Sequence, residues 1–159
     1  MGAKGEALAK QFEAKAQEAT GVLEKLSDAD WKKVTDAEKW SVGVAAHHVA
    51  QSHEGIANII KAVVSGQSMG NFTMDMLNEM NAKHAKDFAN CTKAETLDLH
   101  KKNAAAAAAV VRGLSDDQLA KSATVLTGMP AMTAEQIVSG ILINHIDDHF
   151  GSIRRTVGG

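Results

Sequence analysis

Four stretches of this chain repeat apolar side chains at steps of three and four residues, and each is bounded by residues that start or stop a helix. A chain patterned in this way buries its apolar surface by packing helices on helices. The first stretch, Glu6 to Leu26, carries Leu8, Phe12, Ala16, Ala19, Val22, Leu23 and Leu26, with Lys, Glu and Gln between them. In the second, Ser41 offers a cap, Val42, Ala46, Val49, Ile56, Ile60 and Val63 form the stripe, and Ser65-Gly66 supplies the stop. The third opens on Thr92-Lys93-Ala94-Glu95, which has capping-box spacing, and runs through Leu97, Leu99, Val110 and Val111 to about Arg112, before Gly113. The fourth follows Thr133-Ala134-Glu135-Gln136, with Ile137, Ile141, Leu142, His145, His149 and Ile153 on its stripe, and runs from about Ala134 to Val157.

A loop over 67–72 and a Thr73-capped piece from Met74 to about Ala89 separate the second and third stretches. This piece is expected to extend the third helix or to lie across one end. A single proline, no tyrosine and 4% aromatic residues leave little for strands, which draw on aromatic and β-branched side chains. The expected fold is all-α: an antiparallel four-helix bundle, one domain over 1–159, with a short extra helix between helices two and three. Leu26-Ser27-Asp28 and Leu114-Ser115-Asp116 both follow a long helix and precede a linker to a capped, His-bearing helix, a faint sign of a duplicated helix pair.

With 17 Lys and Arg against 19 Asp and Glu, the net charge is -2, so the basic field that drives nucleic-acid binding is missing. The longest apolar run, Ala104 to Val111, is too short to span a bilayer, and no membrane partner is expected. One cysteine, Cys91, closes no intrachain disulfide, which points to a reducing compartment and a cytoplasmic location.

Bundles of this kind build ligand and metal sites from side chains that face inward. His145 and His149 stand one turn apart on the apolar face of the fourth helix, a geometry that can clamp a metal ion given a third ligand. The second helix offers His47, His48 and His53. His47 shares the hydrated side with Gln51, Glu54 and Asn58; His48 lies beside the Val49 stripe among small neighbours, and His53 is also on the apolar side. His84 and His100, set among Lys, Asp and Asn, are expected at the surface.

Trp40-Ser41-Val42-Gly43-Val44-Ala45-Ala46, with His48 following, and Asn144-His145-Ile146-Asp147-Asp148-His149-Phe150-Gly151-Ser152-Ile153 resemble the DinB/YfiT-like superfamily, which includes the DinB-type domain of mycothiol-dependent maleylpyruvate isomerases. The region from Met76 to Ala82, Thr92 to Glu95, and Leu114-Ser115-Asp116 resembles the same family in outline. The resemblance selects His48 as the third ligand beside His145 and His149, and carries over Asn81 as a pocket-lining residue. Where the family often has Glu, Gln and an acidic residue, this chain has Val44, Ser152 and His53, so the polar lining departs from the pattern while the triad is kept.

Three neutral imidazoles suit Zn, Ni or Fe and leave a coordination position open. The resemblance implies a metal-dependent enzyme, either a thiol-dependent transferase or isomerase or a hydrolase, acting on a small-molecule substrate with a low-molecular-weight thiol or water at the ion. His53 is a candidate for orienting substrate or relaying a proton, and equally for a structural role. At most one of Asp147 and Asp148 can back a ligand, because they point to different faces of the helix. The alternative is a non-catalytic, stress-related bundle, able to form a homodimer through its Ala-rich faces, whose metal is structural or absent.

Overall fold

The computed structural model describes residues 2–67 and 70–158. Its long helices are α1 (Ala3–Lys25), α3 (Val42–Val64), α5 (Lys93–Arg112) and a C-terminal helix formed by α7 (Ala134–Ile137), a π-helical stretch (Val138–Ile143) and α8 (Asn144–Val157). Shorter pieces are α2 (Asp28–Lys32), α4 (Met74–Asp87) and α6 (Asp116–Leu119), with a strand pair β1 (Ser122–Ala123) and β2 (Met132–Thr133). The loop expected over 67–72 includes Ser68 and Met69, which lie outside the described residues. No helix is long and apolar enough to cross a membrane among the described residues.

The caps fall where the polar residues foretell them. Ser41, Thr73 and Thr92 each accept a backbone N–H from the first turn, and Thr133 and Gln136 form a reciprocal capping box. Alternating helix faces then bury a continuous core that includes Phe12, Leu23, Val49, Ile60, Val111, Leu142, Phe150 and Ile153. Trp31 sets one close approach: its indole Nε1 donates to the Cys91 carbonyl at 2.9 Å, and a Cβ at Gly43 would lie 2.4 Å from that nitrogen. Glycine is required there because the ring fills the space a side chain would need.

The packing order differs from that of a bundle joined by short turns. Helix α1 packs on α5 and α8, and α3 packs on the same two, so α1 sits diagonally to α3, and α5 to the C-terminal helix. Directions follow from the cross-helix contacts. Lys4 meets Glu135, Lys15 meets Asp147 and Arg154 meets Glu18, so α1 and the C-terminal helix run the same way. Arg112, at the end of α5, binds Glu6 near the start of α1, and those two helices are antiparallel. Cys91 bonds to the Gly43 carbonyl and His53 to His100, so α3 and α5 run in parallel.

Two parallel neighbours need a return path, and α4 supplies it. The piece expected to extend the third helix or cross one end runs back beside α3, with His84 against His47 and Cys91 against Gly43. Fourteen residues at 1.5 Å each cover about 21 Å of the way.

The faint repeat corresponds to a repeated structural device. Ser27 and Ser115 each cap a short helix with a capping box. Six residues on, the carbonyls of Lys33 and Lys121 each accept the first amide of the following His-bearing helix, from Val42 and Ala134, both at 2.8 Å. A single bridge, Val34 to Ser41, stands in the first half where the β1–β2 pair stands in the second.

His100, expected at the surface, is 1% exposed, and so is His53. His100 Nε2 donates to the Ala16 carbonyl at 3.0 Å, which leaves its Nδ1 to accept from His53 Nε2 at 3.1 Å. The residue types flanking His100 suggested solvent, but α5 is covered on two faces, by α1 and by α3. Burial, reinforced by His100, pushes the His53 pKa down from 6.5 to about 3, and burial lowers that of His100 as well. The unfolded chain therefore binds protons below pH 6.5 that the fold refuses. The stability this pair contributes is complete above that pH and is lost as pH falls toward about 3. We expect the unfolding free energy, measured with urea, to drop between pH 7 and pH 5. The double variant His53→Leu/His100→Leu should flatten that slope by ~1 to 2 kcal/mol per pH unit; an unchanged slope would contradict the assignment.

Candidate metal centre

The segment before α3 is a short closed loop. Thr35, fully buried, donates its amide to the Trp40 carbonyl at 2.8 Å, and Lys39 returns an amide to the Thr35 carbonyl at 3.1 Å. Closing so tight a loop places Lys39 in the left-handed region at φ 63°, the one non-glycine residue there among the described residues. Its neighbours on either side, Glu38 and Trp40, both turn toward the bundle. Ser41 then caps α3, whose second turn carries His48.

The C-terminal helix is aimed by its π-helical stretch. Buried positions step by five residues from Ile137 to Leu142 and from Val138 to Ile143, then return to steps of three and four through Ile146, Phe150 and Ile153. A uniform 3.6-residue period places Ile141 on the buried stripe; the wide turn leaves it only half-buried. The extra residue rotates everything downstream, which brings His145 and His149 onto the edge facing α3.

His48, His145 and His149 converge. Their ligand atoms all lie within 4.8 Å of one another, and His48 Nε2 stands 3.0 Å from His145 Nε2. Donors held at 2.0–2.1 Å from one ion are separated by roughly 3 Å, so this pair is already at ligand spacing. His149 binds Glu38 Oε2 through Nδ1 at 2.5 Å, and Ser152 donates its hydroxyl to Glu38 Oε1 at 2.7 Å. That carboxylate fixes the ring's tautomer and turns His149 Nε2 toward the other two. The Trp40 ring meets His48 edge-on at 5.2 Å and stacks along His149 at 6.3 Å.

The electrostatics favour neutral imidazoles. Burial, with repulsion from neighbouring histidines, pushes the pKa values of His48 and His145 to about 3, so at neutral pH neither carries a proton that an ion must displace. Burial alone would raise the Glu38 pKa, but hydrogen bonds from Ser152, His149 and Thr35 outweigh it and hold the carboxyl below its ordinary range. His145 Nδ1 is buried with no hydrogen-bond partner among the described residues. The donor set therefore fits a divalent ion: three imidazole nitrogens, one of them on a ring backed by a carboxylate.

The other sequence candidates are placed elsewhere. His53 is engaged with His100 in the core, packed edge-on against Phe12. Asn81 is half-buried on α4, one turn before His84. Asp147 pairs with Lys15 and Asp148 with Asn144, so neither backs a ligand in the structure. His47, assigned to the hydrated side, and His84, assigned to the surface, are both buried, because α4 folds over that side of α3 and joins their rings at 2.8 Å. Periodicity within one helix carries no information about which other helix will cover it.

Glu38 was not among the sequence candidates. The available signal was Ser152, a polar side chain one turn beyond His149 and 2% exposed, whose hydroxyl needs a buried partner. Glu38→Gln removes the charge while preserving shape. We expect it to weaken divalent-metal affinity about 10- to 100-fold in a chelator competition assay, with the helical circular dichroism unchanged; equal affinity would mean that the carboxylate does not tune the site.

Two solved structures are similar over most of the chain. The mycothiol-dependent maleylpyruvate isomerase superposes with a TM-score of 0.74 at 14% identity, over 94% of this chain and 60% of that one. The chain thus spans about three fifths of that enzyme's length. YfiT from Bacillus subtilis, described as a probable metal-dependent hydrolase with an unusual four-helix bundle topology, gives a TM-score of 0.69 at 19% identity, over 98% of this chain and 86% of that one. At these identities the likeness is one of fold. No curated protein sequence matches the chain. A family model described as the DinB superfamily matches residues 11–153, across all four long helices, and the chain belongs to that superfamily.

Proposed function

We propose that this protein is a metal-dependent enzyme in which His48, His145 and His149 hold a divalent ion, Zn, Ni or Fe, and leave a position open for a thiol or water. The observation that carries this reading is the convergence of three imidazoles from two distant segments, backed by the Glu38 bond to His149. A structural zinc site closes its coordination shell with four protein ligands. Here the described residues offer three.

An ion bound there supplies a nucleophile at neutral pH, by lowering the pKa of coordinated water or by holding a thiol as thiolate. The residues do the rest. Glu38 and Ser152 fix His149, Trp40 limits the swing of the His48 and His149 rings, and burial keeps His48 and His145 uncharged. The maleylpyruvate isomerase neighbour is named as mycothiol-dependent and YfiT as a probable hydrolase, which favours thiol-dependent transfer or isomerisation, or hydrolysis, of a small molecule.

Tag-free protein is expected to retain close to one equivalent of divalent metal per chain by elemental analysis, and His48→Ala and His145→Ala to lose it. Cobalt-loaded protein should change its visible spectrum when a simple thiol is added, as an open position requires. Absence of stoichiometric metal from the wild type, together with unaltered melting of both variants, would remove the enzyme reading. Metal that is bound but unresponsive to thiol and water exchange would make it structural.

A further inference from the structure

One buried imbalance lies just outside the triad. His84 of α4 is 8% exposed, and its ring meets the His48 ring edge-on with centroids 5.7 Å apart. Its Nε2 is taken by His47 Nδ1 at 2.8 Å, and its face lies against Phe88 at 4.9 Å. Its Nδ1 is buried with no hydrogen-bond partner among the described residues. A buried polar atom left unpaired destabilises the fold, so a position that keeps one beside the triad invites a partner from outside the chain.

We propose that His84 is a substrate-binding residue of the metal centre, whose Nδ1–H donates to an oxygen of the molecule held at the ion. The inference rests on the metal reading of the triad. The His47–His84 pair has two neutral arrangements. In one, His47 Nδ1–H donates to His84 Nε2 and the proton of His84 sits on Nδ1; in the other, His84 Nε2–H donates and Nδ1 carries a lone pair. An anionic oxygen selects the first, because only that arrangement presents a donor. His47 thus acts through His84, as a positioning residue that sets its tautomer. The His84 and His48 ring centroids stand 5.7 Å apart, so the bonded oxygen belongs to a second functional group of the ligand rather than to the atom on the ion. The class implied is a small molecule that places sulfur or oxygen on the metal and a carboxylate or similar anionic group a few bonds away.

The test uses cobalt-loaded full-length protein and two probes. Mercaptoacetate carries a thiolate for the ion and a carboxylate for His84; ethanethiol carries the thiolate alone. Affinity is read from the visible charge-transfer band. Asparagine at position 84 places an amide where Nδ1 lies, and glutamine places one where Nε2 lies, toward His47. His84→Gln is expected to lose roughly tenfold in mercaptoacetate affinity, a hydrogen bond's worth. His84→Asn should keep most of it, and ethanethiol affinity and cobalt content should stay at wild-type levels in both. If the two variants behave alike, if Asn is the weaker, or if ethanethiol affinity falls in parallel, His84 does not contact the ligand. Loss of cobalt from either variant would make it a ligand or a structural support instead. Wild-type protein that takes up no cobalt would instead overturn the metal reading itself, and this inference with it.

Discussion

A single carboxylate, that of Glu38, ties the entry loop of α3 to the C-terminal helix. One oxygen receives His149 and the other Ser152, so the loop and the helix are held at two points one turn apart. The loop can make this reach because Thr35 and Trp40 close it on themselves and Lys39 accepts a left-handed backbone. The same loop ends in the Ser41 cap, which fixes where α3 begins and therefore where His48 points. The placing of His48 and His149 on two helices is thus set by one short connection, and partly buried charge-assisted bonds are strong enough to hold it.

The order of the helices explains why the site lies where it does. With α1 and α3 diagonal, α3 and the C-terminal helix become direct neighbours although α4, α5 and α6 lie between them in the sequence. The parallel run of α3 and α5 forces the chain back along the bundle, and α4, which makes that return, is the element that buries His47 and His84. The surroundings of the centre are therefore a consequence of topology. The π-helical stretch completes the aim by shifting the buried face just upstream of His145.

Much of this was legible in the sequence, for physical reasons that differ by element. Apolar periodicity and caps such as Ser41, Thr92 and Thr133 are local, so the long helices and their starts could be read directly. The family pattern around Trp40 and His145 picked out the same triad that the structure brings together. The return path of α4 was not legible, because direction depends on which faces find each other across the whole chain. His100 and His84 were misplaced for that reason: each sits among polar neighbours along its own helix, yet each is covered by another one. Glu38 was hidden by its loop, where side-chain direction follows the backbone turn rather than a period. The wide turn over Val138–Ile143 broke the one assumption, a constant 3.6 residues per turn, on which the last stripe rested.

The repeated device of Ser27 with Lys33 and Ser115 with Lys121 divides the chain into two similar halves, and the imidazoles are shared unequally between them: His48 from the first, His145 and His149 from the second. Neither half alone holds the full set. A cation gripped by all three would be a rivet between the halves, absent whenever they part, so by mass action its occupancy would strengthen their docking by about 2.7 kcal/mol at a hundredfold excess over the dissociation constant. Metal supply would then govern how long the folded molecule survives as well as whether it can react.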